Sequence, residues 1–84
     1  MKVIKFFWRS NCPKCEIAKE MQQYFSVKGV PVESYNLDTP GGLAEGAFYS
    51  VLSVPTAIVV DKSDNLVAEW RGEVPEINEV EKHL

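Results

Sequence analysis

The sequence has only two cysteines, one histidine and no long hydrophobic run. A structural zinc site takes four ligands, which two cysteines and His83 do not supply without a partner chain or carboxylates. No apolar stretch approaches the roughly 20 residues that span a bilayer, so we expect a soluble, cytoplasmic protein with no membrane partner. The N-terminal apolar run contains a lysine and no small-residue cleavage site, which argues against a signal peptide.

Basic residues are also few. Nine lysines and arginines against twelve aspartates and glutamates give a net charge of -3, and no basic cluster is interleaved with aromatics. This pattern argues against nucleic acid as the main partner. Repeats and low-complexity stretches are absent, so the 84 residues predict one domain over residues 1–84. A monomer is expected for so small a domain without an apparent apolar patch.

The feature that carries chemistry is the motif Cys12-Pro13-Lys14-Cys15. It directly follows an apolar run at residues 3–8 and directly precedes a helical pattern. Two cysteines at this spacing can close a disulfide, and the free amides at a helix N-terminus favour the thiolate of the first one. The motif predicts a redox-active dithiol with Cys12 as nucleophile and Cys15 as resolving thiol.

The cysteine pair has three other interpretations: zinc binding, a structural disulfide and chance. Zinc lacks ligands, as stated above. A structural disulfide would close so short a loop that it removes little unfolded-state entropy, and nothing else indicates a secreted disulfide scaffold. Chance is disfavoured, because the strand before the pair and the helix after it provide the context that redox chemistry needs.

The hydrophobic pattern predicts the element order βαβαββα. Pro13 suits the first turn of a helix and Gly29 suits its end. Lys5 interrupts the first apolar strand and is expected to snorkel or to pair with an acid. The predicted elements are strands at 2–8, 30–37, 56–60 and 66–70, helices at 12–28 and 43–51, a turn at 38–42, and a last helix that opens at Pro75.

These residues resemble the thioredoxin and glutaredoxin family over essentially the whole chain. The resemblance rests on four places: Trp8 four residues before the dithiol motif, the segment 49–56 with Val54-Pro55-Thr56, the hairpin after it, and Gly72 before the last helix. It implies an α/β, thioredoxin-like fold with a four-stranded mixed sheet flanked by three helices. It also implies a cis peptide bond before Pro55.

The resemblance further assigns roles around the dithiol. Trp8 and Pro55 would shape the surface there, the backbone of Val54 would pair with the target chain, and Gly72 would keep this surface open. Independently of the resemblance, Pro13 and Lys14 are expected to tune the Cys12 thiolate. Alternatively, Lys14 is a solvated helix residue that recognises acidic partners instead of stabilising the thiolate.

The two branches of the family leave different marks on this chain. Arg9 and the residues up to Pro13 resemble the glutaredoxin approach to the dithiol, whereas the segment from Val54 onward resembles thioredoxin. The glycine pair that glutaredoxins use on glutathione is absent. The positions of the buried aspartate and lysine of thioredoxins hold Phe6 and, by approximate alignment, Ser34, so the usual proton acceptor is missing.

The implied function is a thiol-disulfide oxidoreductase that reduces protein disulfides and acts as a small electron carrier, with no metal or bound organic cofactor. Its electrons would come from a thioredoxin-type reductase or from glutathione. One alternative is a glutathione-dependent glutaredoxin with Arg9, Lys14 and Thr56 as the tripeptide site. Others are a dedicated electron donor to a ribonucleotide reductase-type enzyme, and a metal or iron-sulfur carrier built from the Cys12 residues of a dimer.

Overall fold

The computed structural model describes all 84 residues, which form four strands and three helices. The elements are β1 (Val3–Trp8), α1 (Pro13–Val27), β2 (Val32–Asn36), α2 (Pro40–Phe48), β3 (Thr56–Val60), β4 (Leu66–Arg71) and α3 (Ile77–Glu81). The sheet order is β2-β1-β3-β4, with β1 and β2 parallel and the other two pairs antiparallel. The predicted element order and the four-stranded mixed sheet are confirmed. None of the helices combines the length and apolar character needed to cross a bilayer.

Each face of the sheet carries its own hydrophobic cluster, because successive side chains of a strand point to opposite faces. Ile4 and Phe6 of β1 pack with residues of α1 and with Val80 of α3. Phe7 packs on the other face, where Leu37 belongs to the same cluster. All five residues of β3 are buried. Helices α1 and α3 therefore cover one face, and the α2 segment covers the other.

Helix α1 has well-defined ends. Pro13 occupies its first turn, where the missing N–H leaves no hydrogen bond unmade. At the other end Gly29 has a φ of 83°, its N–H donates to the Ser26 carbonyl at 3.1 Å, and the Val30 N–H donates to the Phe25 carbonyl at 3.0 Å. These two bonds form a Schellman motif, which favours glycine at the left-handed position. The predicted helix end at Gly29 is confirmed.

Helix α2 begins earlier than the sequence predicts. The expected turn over residues 38–42 is wrong, because α2 already starts at Pro40. Thr39 is an effective N-cap whose Oγ1 accepts the N–H of Gly42 at 3.1 Å, and proline fits the first helical position. A Cβ at Gly42 would overlap the Asn36 carbonyl oxygen. Gly42 therefore serves the close packing of α2 against the end of β2.

The same helix ends at Phe48 rather than at residue 51. Ser50 has a left-handed φ of 55°, so the helix cannot continue through it. The Ser50 N–H donates to the Ala47 carbonyl at 3.1 Å, and the Val51 N–H donates to the Gly46 carbonyl at 2.8 Å. This is a second Schellman arrangement, with serine in the position that glycine usually occupies. The sequence carries no glycine there to indicate the helix end.

Lys5 pairs with acidic residues on the α2 face of the sheet, as predicted. Its side chain is 7% exposed; the ammonium donates to Glu45 of α2 and lies 3.6 Å from a Glu33 oxygen. It also lies 5.0 Å from the centroid of the Tyr49 ring. Burial lowers the pKa of Lys5, but the hydrogen bonds and charges of Glu45 and Tyr49 outweigh it and raise the pKa above its ordinary value. The ammonium therefore stays charged.

Tyr35 extends this cluster of charged and aromatic side chains. Its ring stacks on Phe7 with a centroid distance of 5.4 Å, and its hydroxyl donates to Glu33. Burial and this hydrogen bond to a carboxylate raise the pKa of Tyr35 to about 12. The Tyr35 hydroxyl therefore stays protonated in the folded protein and keeps its hydrogen bond to Glu33.

The predicted hairpin of β3 and β4 is confirmed, and Asp61 organises its turn. The Asp61 carboxylate accepts the N–H of Asn65 at 3.0 Å and that of Ser63 at 2.8 Å. These bonds lower the pKa of Asp61, because they stabilise the ionised form. Such a side-chain-to-backbone pattern is typical of aspartate at a turn.

Candidate active site

Strand register brings several chain segments to one edge of the sheet. Trp8, the last residue of β1, pairs with Asn36, the last residue of β2. Phe7 pairs with Thr56 at the start of β3, and Thr56 pairs with Arg71 at the end of β4. The loop after β1, the residues before β3 and the residues after β4 therefore meet here. We call this the dithiol edge.

The two cysteines lie where the loop from β1 enters helix α1. Cys12 is the N-cap residue, with extended φ and ψ of -124° and 102°, and it is bonded to Cys15 in the first turn by a disulfide. Their Cα atoms are 5.3 Å apart, within the usual range for disulfides. The Cys15 N–H donates to the Cys12 carbonyl at 3.1 Å. The first turn of the helix thus sets the distance between the two Cα atoms that the disulfide spans.

The two cysteines differ in accessibility. Cys12 is half-buried, whereas Cys15 is only 2% exposed. Pro13 and Lys14 between them are exposed, and Lys14 forms no ion pair within the chain. The unpaired amides at the N-terminus of α1 favour negative charge at Cys12. An incoming disulfide can therefore reach Cys12 much more easily than Cys15.

The layer beneath α1 is apolar. Phe6 is 2% exposed and belongs to the cluster that packs against this helix. Phe6 and Ser34 pair across β1 and β2. Lys5 is the only buried charged residue, and it points to the opposite face of the sheet. No buried carboxylate is available to exchange a proton with the dithiol.

Arg9 is tied down on the loop that leads to the dithiol. Its guanidinium donates to Asp38 at 2.7 Å, and the Ser10 N–H donates to the second Asp38 oxygen at 3.3 Å. Asp38 was not singled out from the sequence. It follows the end of β2, and parallel pairing with β1 places the two loops side by side. The ion pair fastens the dithiol loop to the chain after β2.

The Trp8 ring lies between α1 and β2. Its Nε1 donates to the Ser34 hydroxyl at 2.9 Å, and the Lys19 ammonium lies 5.5 Å from the ring. The indole is half-buried. Trp8 is thus held on the same side of the sheet as α1, next to the loop that carries Cys12.

The segment before β3 includes a cis peptide bond between Val54 and Pro55, as the resemblance implies. Pro55 is buried and Val54 is half-buried. Thr56 is 1% exposed; its hydroxyl donates to the Ser53 carbonyl at 2.8 Å and accepts the Gly72 N–H at 3.4 Å. Thr56 therefore braces the dithiol edge from inside, and its hydroxyl is not free to bind a ligand.

Gly72 and Arg71 close the edge from the β4 side. Gly72 is exposed and has a φ of 74°, a conformation that favours glycine. The Arg71 guanidinium donates to the Tyr49 and Ser50 carbonyls, both at 2.8 Å. Arg71 was not predicted as a site residue, and no short-range sequence signal indicates these contacts. It fixes the start of the loop that ends in Val54.

No group of three or more His, Cys, Asp or Glu side chains comes together as a metal site. His83 instead packs against the Trp70 ring with a centroid distance of 5.7 Å.

Proteins of known structure share the fold of this chain. Thioredoxin 1 from the thermophilic eubacterium Thermosipho africanus TCF52B matches with a TM-score of 0.77 and 21% identity, over 96% of this chain and 88% of that one. The chain has the thioredoxin fold. The reduced Schistosoma mansoni thioredoxin pre-protein matches with a TM-score of 0.77 and 21% identity, over 96% and 73% of the two chains. Thioredoxin-2, a component of the malaria parasite protein secretion machinery, matches with a TM-score of 0.74 and 23% identity, over 99% of this chain and 84% of that one.

No protein-family model and no curated protein sequence matches the chain. At identities of 21% to 23%, the structural matches establish the fold alone. Within a thioredoxin fold, the Cys12–Cys15 disulfide with its two-residue spacer fits a CxxC active site.

Proposed function

We propose that this protein is a thiol-disulfide oxidoreductase that reduces protein disulfides through Cys12 and Cys15. The observation that carries the proposal is the unequal exposure of two bonded cysteines at the N-terminus of a long helix: Cys12 is half-buried and Cys15 is 2% exposed. A structural disulfide needs no such accessible sulfur, whereas an exchange reaction does.

The reaction has two exchange steps. The Cys12 thiolate attacks one sulfur of the target disulfide, forms a mixed disulfide and releases the other target sulfur as a thiolate. The Cys15 thiolate then attacks the Cys12 sulfur, closes the Cys12–Cys15 disulfide and releases the second target thiolate. Two electrons pass from the dithiol to the target, and two protons end on the target thiols. Val54 and Gly72 are proposed to border the bound target, beside Pro55.

The trapping experiment uses two single-cysteine variants. Cys15→Ser, mixed with a disulfide-containing protein, should accumulate a mixed disulfide through Cys12, because the resolving thiol is missing. Cys12→Ser is the matched control and should trap little, because Cys15 is buried. Non-reducing electrophoresis and mass spectrometry of the joined peptides would identify the bond. Trapping by Cys12→Ser but not by Cys15→Ser would reverse the assignment.

A thioredoxin-type reductase is the proposed electron source, ahead of glutathione. Two of the three residues of the expected tripeptide site are engaged within the chain: Arg9 pairs with Asp38, and the Thr56 hydroxyl is buried. We expect the Cys12–Cys15 disulfide to be reduced by NADPH with a thioredoxin-type reductase much faster than by glutathione alone. Faster reduction by glutathione would instead favour a glutaredoxin. A cycling dithiol of this kind fits a reducing compartment such as the cytoplasm.

A further inference from the structure

A groove of about 510 Å³ separates helix α1 from the segment that leads into α3. Ile17, Met21 and Tyr24 of α1 form one wall, and Val74 and Pro75 lie in the other. Ile17 is 56% exposed although it is a large apolar residue. The dithiol chemistry described above does not use this groove.

Both walls of the groove begin within a few residues of the dithiol edge. Ile17 follows Pro13 by four residues and so lies on the same stripe of α1, one turn farther along. Ile17 is five positions after Cys12, which at 1.5 Å per residue is about 8 Å along the helix axis. The opposite wall begins with Val74, two residues after Gly72. A chain bound at Cys12 reaches the groove within a few extended residues.

The charged residues of the groove are acidic. Glu20 lies on the α1 wall and Glu76 on the other, and no lysine or arginine lines the groove. Neither glutamate forms an ion pair within the chain. Lys28 lies 5.1 Å from the Tyr24 ring, toward the C-terminal end of α1. The groove thus offers apolar walls and two carboxylates without a basic partner.

We propose that this groove binds the flank of a target polypeptide in which an apolar side chain stands next to lysine or arginine, close to the disulfide that is reduced. This inference rests on the proposed function and adds a substrate class to it. The occupant is a basic target and not a second copy of this chain, because the chain carries a net charge of -3 and would bring more negative charge to the groove.

The test uses two synthetic peptides, each with one cysteine joined to nitrothiobenzoate by a disulfide. One peptide carries leucine and lysine about three to five residues from the cysteine on both sides, and the other carries serine and glutamate there. Attack of Cys12 on the peptide sulfur releases the coloured nitrothiobenzoate. We expect the basic, apolar peptide to react about two- to five-fold faster, which is the range of exposed charge pairs, and the preference should shrink with added salt.

Four variants locate the preference. Glu20→Gln and Ile17→Ser should bring the rate ratio of the two peptides toward one. Ser26→Lys changes the charge of α1 by the same amount outside this groove, and Val27→Ser removes an apolar residue that is even more exposed than Ile17, at the far end of the helix. Both controls should keep the wild-type preference.

The outcomes separate the two claims. Equal rates for both peptides, or equal loss of preference in the controls, would overturn the groove proposal and leave the oxidoreductase proposal standing. Release of nitrothiobenzoate from neither peptide would overturn the proposed function and this inference with it. A change of oligomeric state in Ile17→Ser, measured by sedimentation, would make the groove a contact between copies and would also overturn the inference.

Discussion

Replacement of Glu45 by alanine should destabilise the fold, because it leaves the Lys5 ammonium buried without its main partner. Loss of one partner of a buried ion pair typically costs about 3–5 kcal/mol. Two features reduce the cost here: the Glu45 side chain is 28% exposed, and a Glu33 oxygen remains 3.6 Å from the ammonium. We therefore expect the free energy of unfolding to fall by about 2 kcal/mol.

Urea denaturation of the oxidised protein measures this effect. The slope with denaturant should not change, and the midpoint should fall by about 1–2 M for a chain of this size. Glu16→Ala is the matched control, because it removes an ion pair with Lys19 whose side chains are 72% and 54% exposed. That exposed pair should contribute less than about 1 kcal/mol. The double variant Lys5→Met, Glu45→Ala should recover most of the loss.

The pH dependence provides a second check on the same cluster. Without Glu45, burial acts on Lys5 with less opposition, so its pKa in the folded state should fall below its ordinary value. The unfolded state then binds more protons in the alkaline range, and stability relative to wild type should rise with pH there. The penalty of Glu45→Ala should thus be smaller at alkaline pH than at neutral pH. A penalty no larger than that of Glu16→Ala at neutral pH would refute the reasoning.

Three further predictions follow from packing, hydrogen bonding and titration. Gly42→Ala should lower the free energy of unfolding by about 1–3 kcal/mol, because its Cβ would overlap the Asn36 carbonyl. The control is Gly41→Ala in the same helix, where a Cβ meets no atom within 4 Å; it should stabilise the fold in the same thermal unfolding assay. Arg71→Lys should speed hydrogen exchange in the loop before Val54, since lysine cannot hold both carbonyls in the same geometry; unchanged exchange would contradict this role. Spectrophotometric titration of the three tyrosines should find that Tyr35 ionises near pH 12. Because its pKa is raised in the folded state, the stability that Tyr35 contributes should be intact below its ordinary pKa of 10.0 and be lost as pH rises toward 12.

Most of the fold could be predicted from the sequence because its signals are local. Residues 56–60 form a continuous β-branched and apolar run, which gave the bounds of β3 correctly. Pro13 and Gly29 mark the ends of α1. The bounds of α2 could not be predicted, because glycine at position 42 is required by contact with Asn36, which no pattern within the helix reveals. Its end depends on Ser50, which occupies a backbone conformation that usually favours glycine.

Some residues of the candidate site could likewise be predicted from local sequence, and others could not. The cysteine pair is a short motif that a strand and a helix flank, so Cys12 and Cys15 could be singled out directly. Asp38 and Arg71 could not, because their contacts depend on strand register and on the path of a loop 21 residues earlier in the chain. Thr56 was predicted as a site residue, and only the fold reveals that its hydroxyl points inward.

The apolar layer formed by Phe6 has a consequence for how the reduction potential varies with pH. Reduction of the disulfide to two thiols takes up two electrons and two protons, so the potential falls by about 59 mV per pH unit while both thiols are protonated. A buried carboxylate near the dithiol would take part in this proton balance and would bend the curve at its own pKa. Phe6 takes up no proton. The slope should therefore change only where the two cysteines themselves ionise, so a plot of potential against pH would report the ionisation of this dithiol directly.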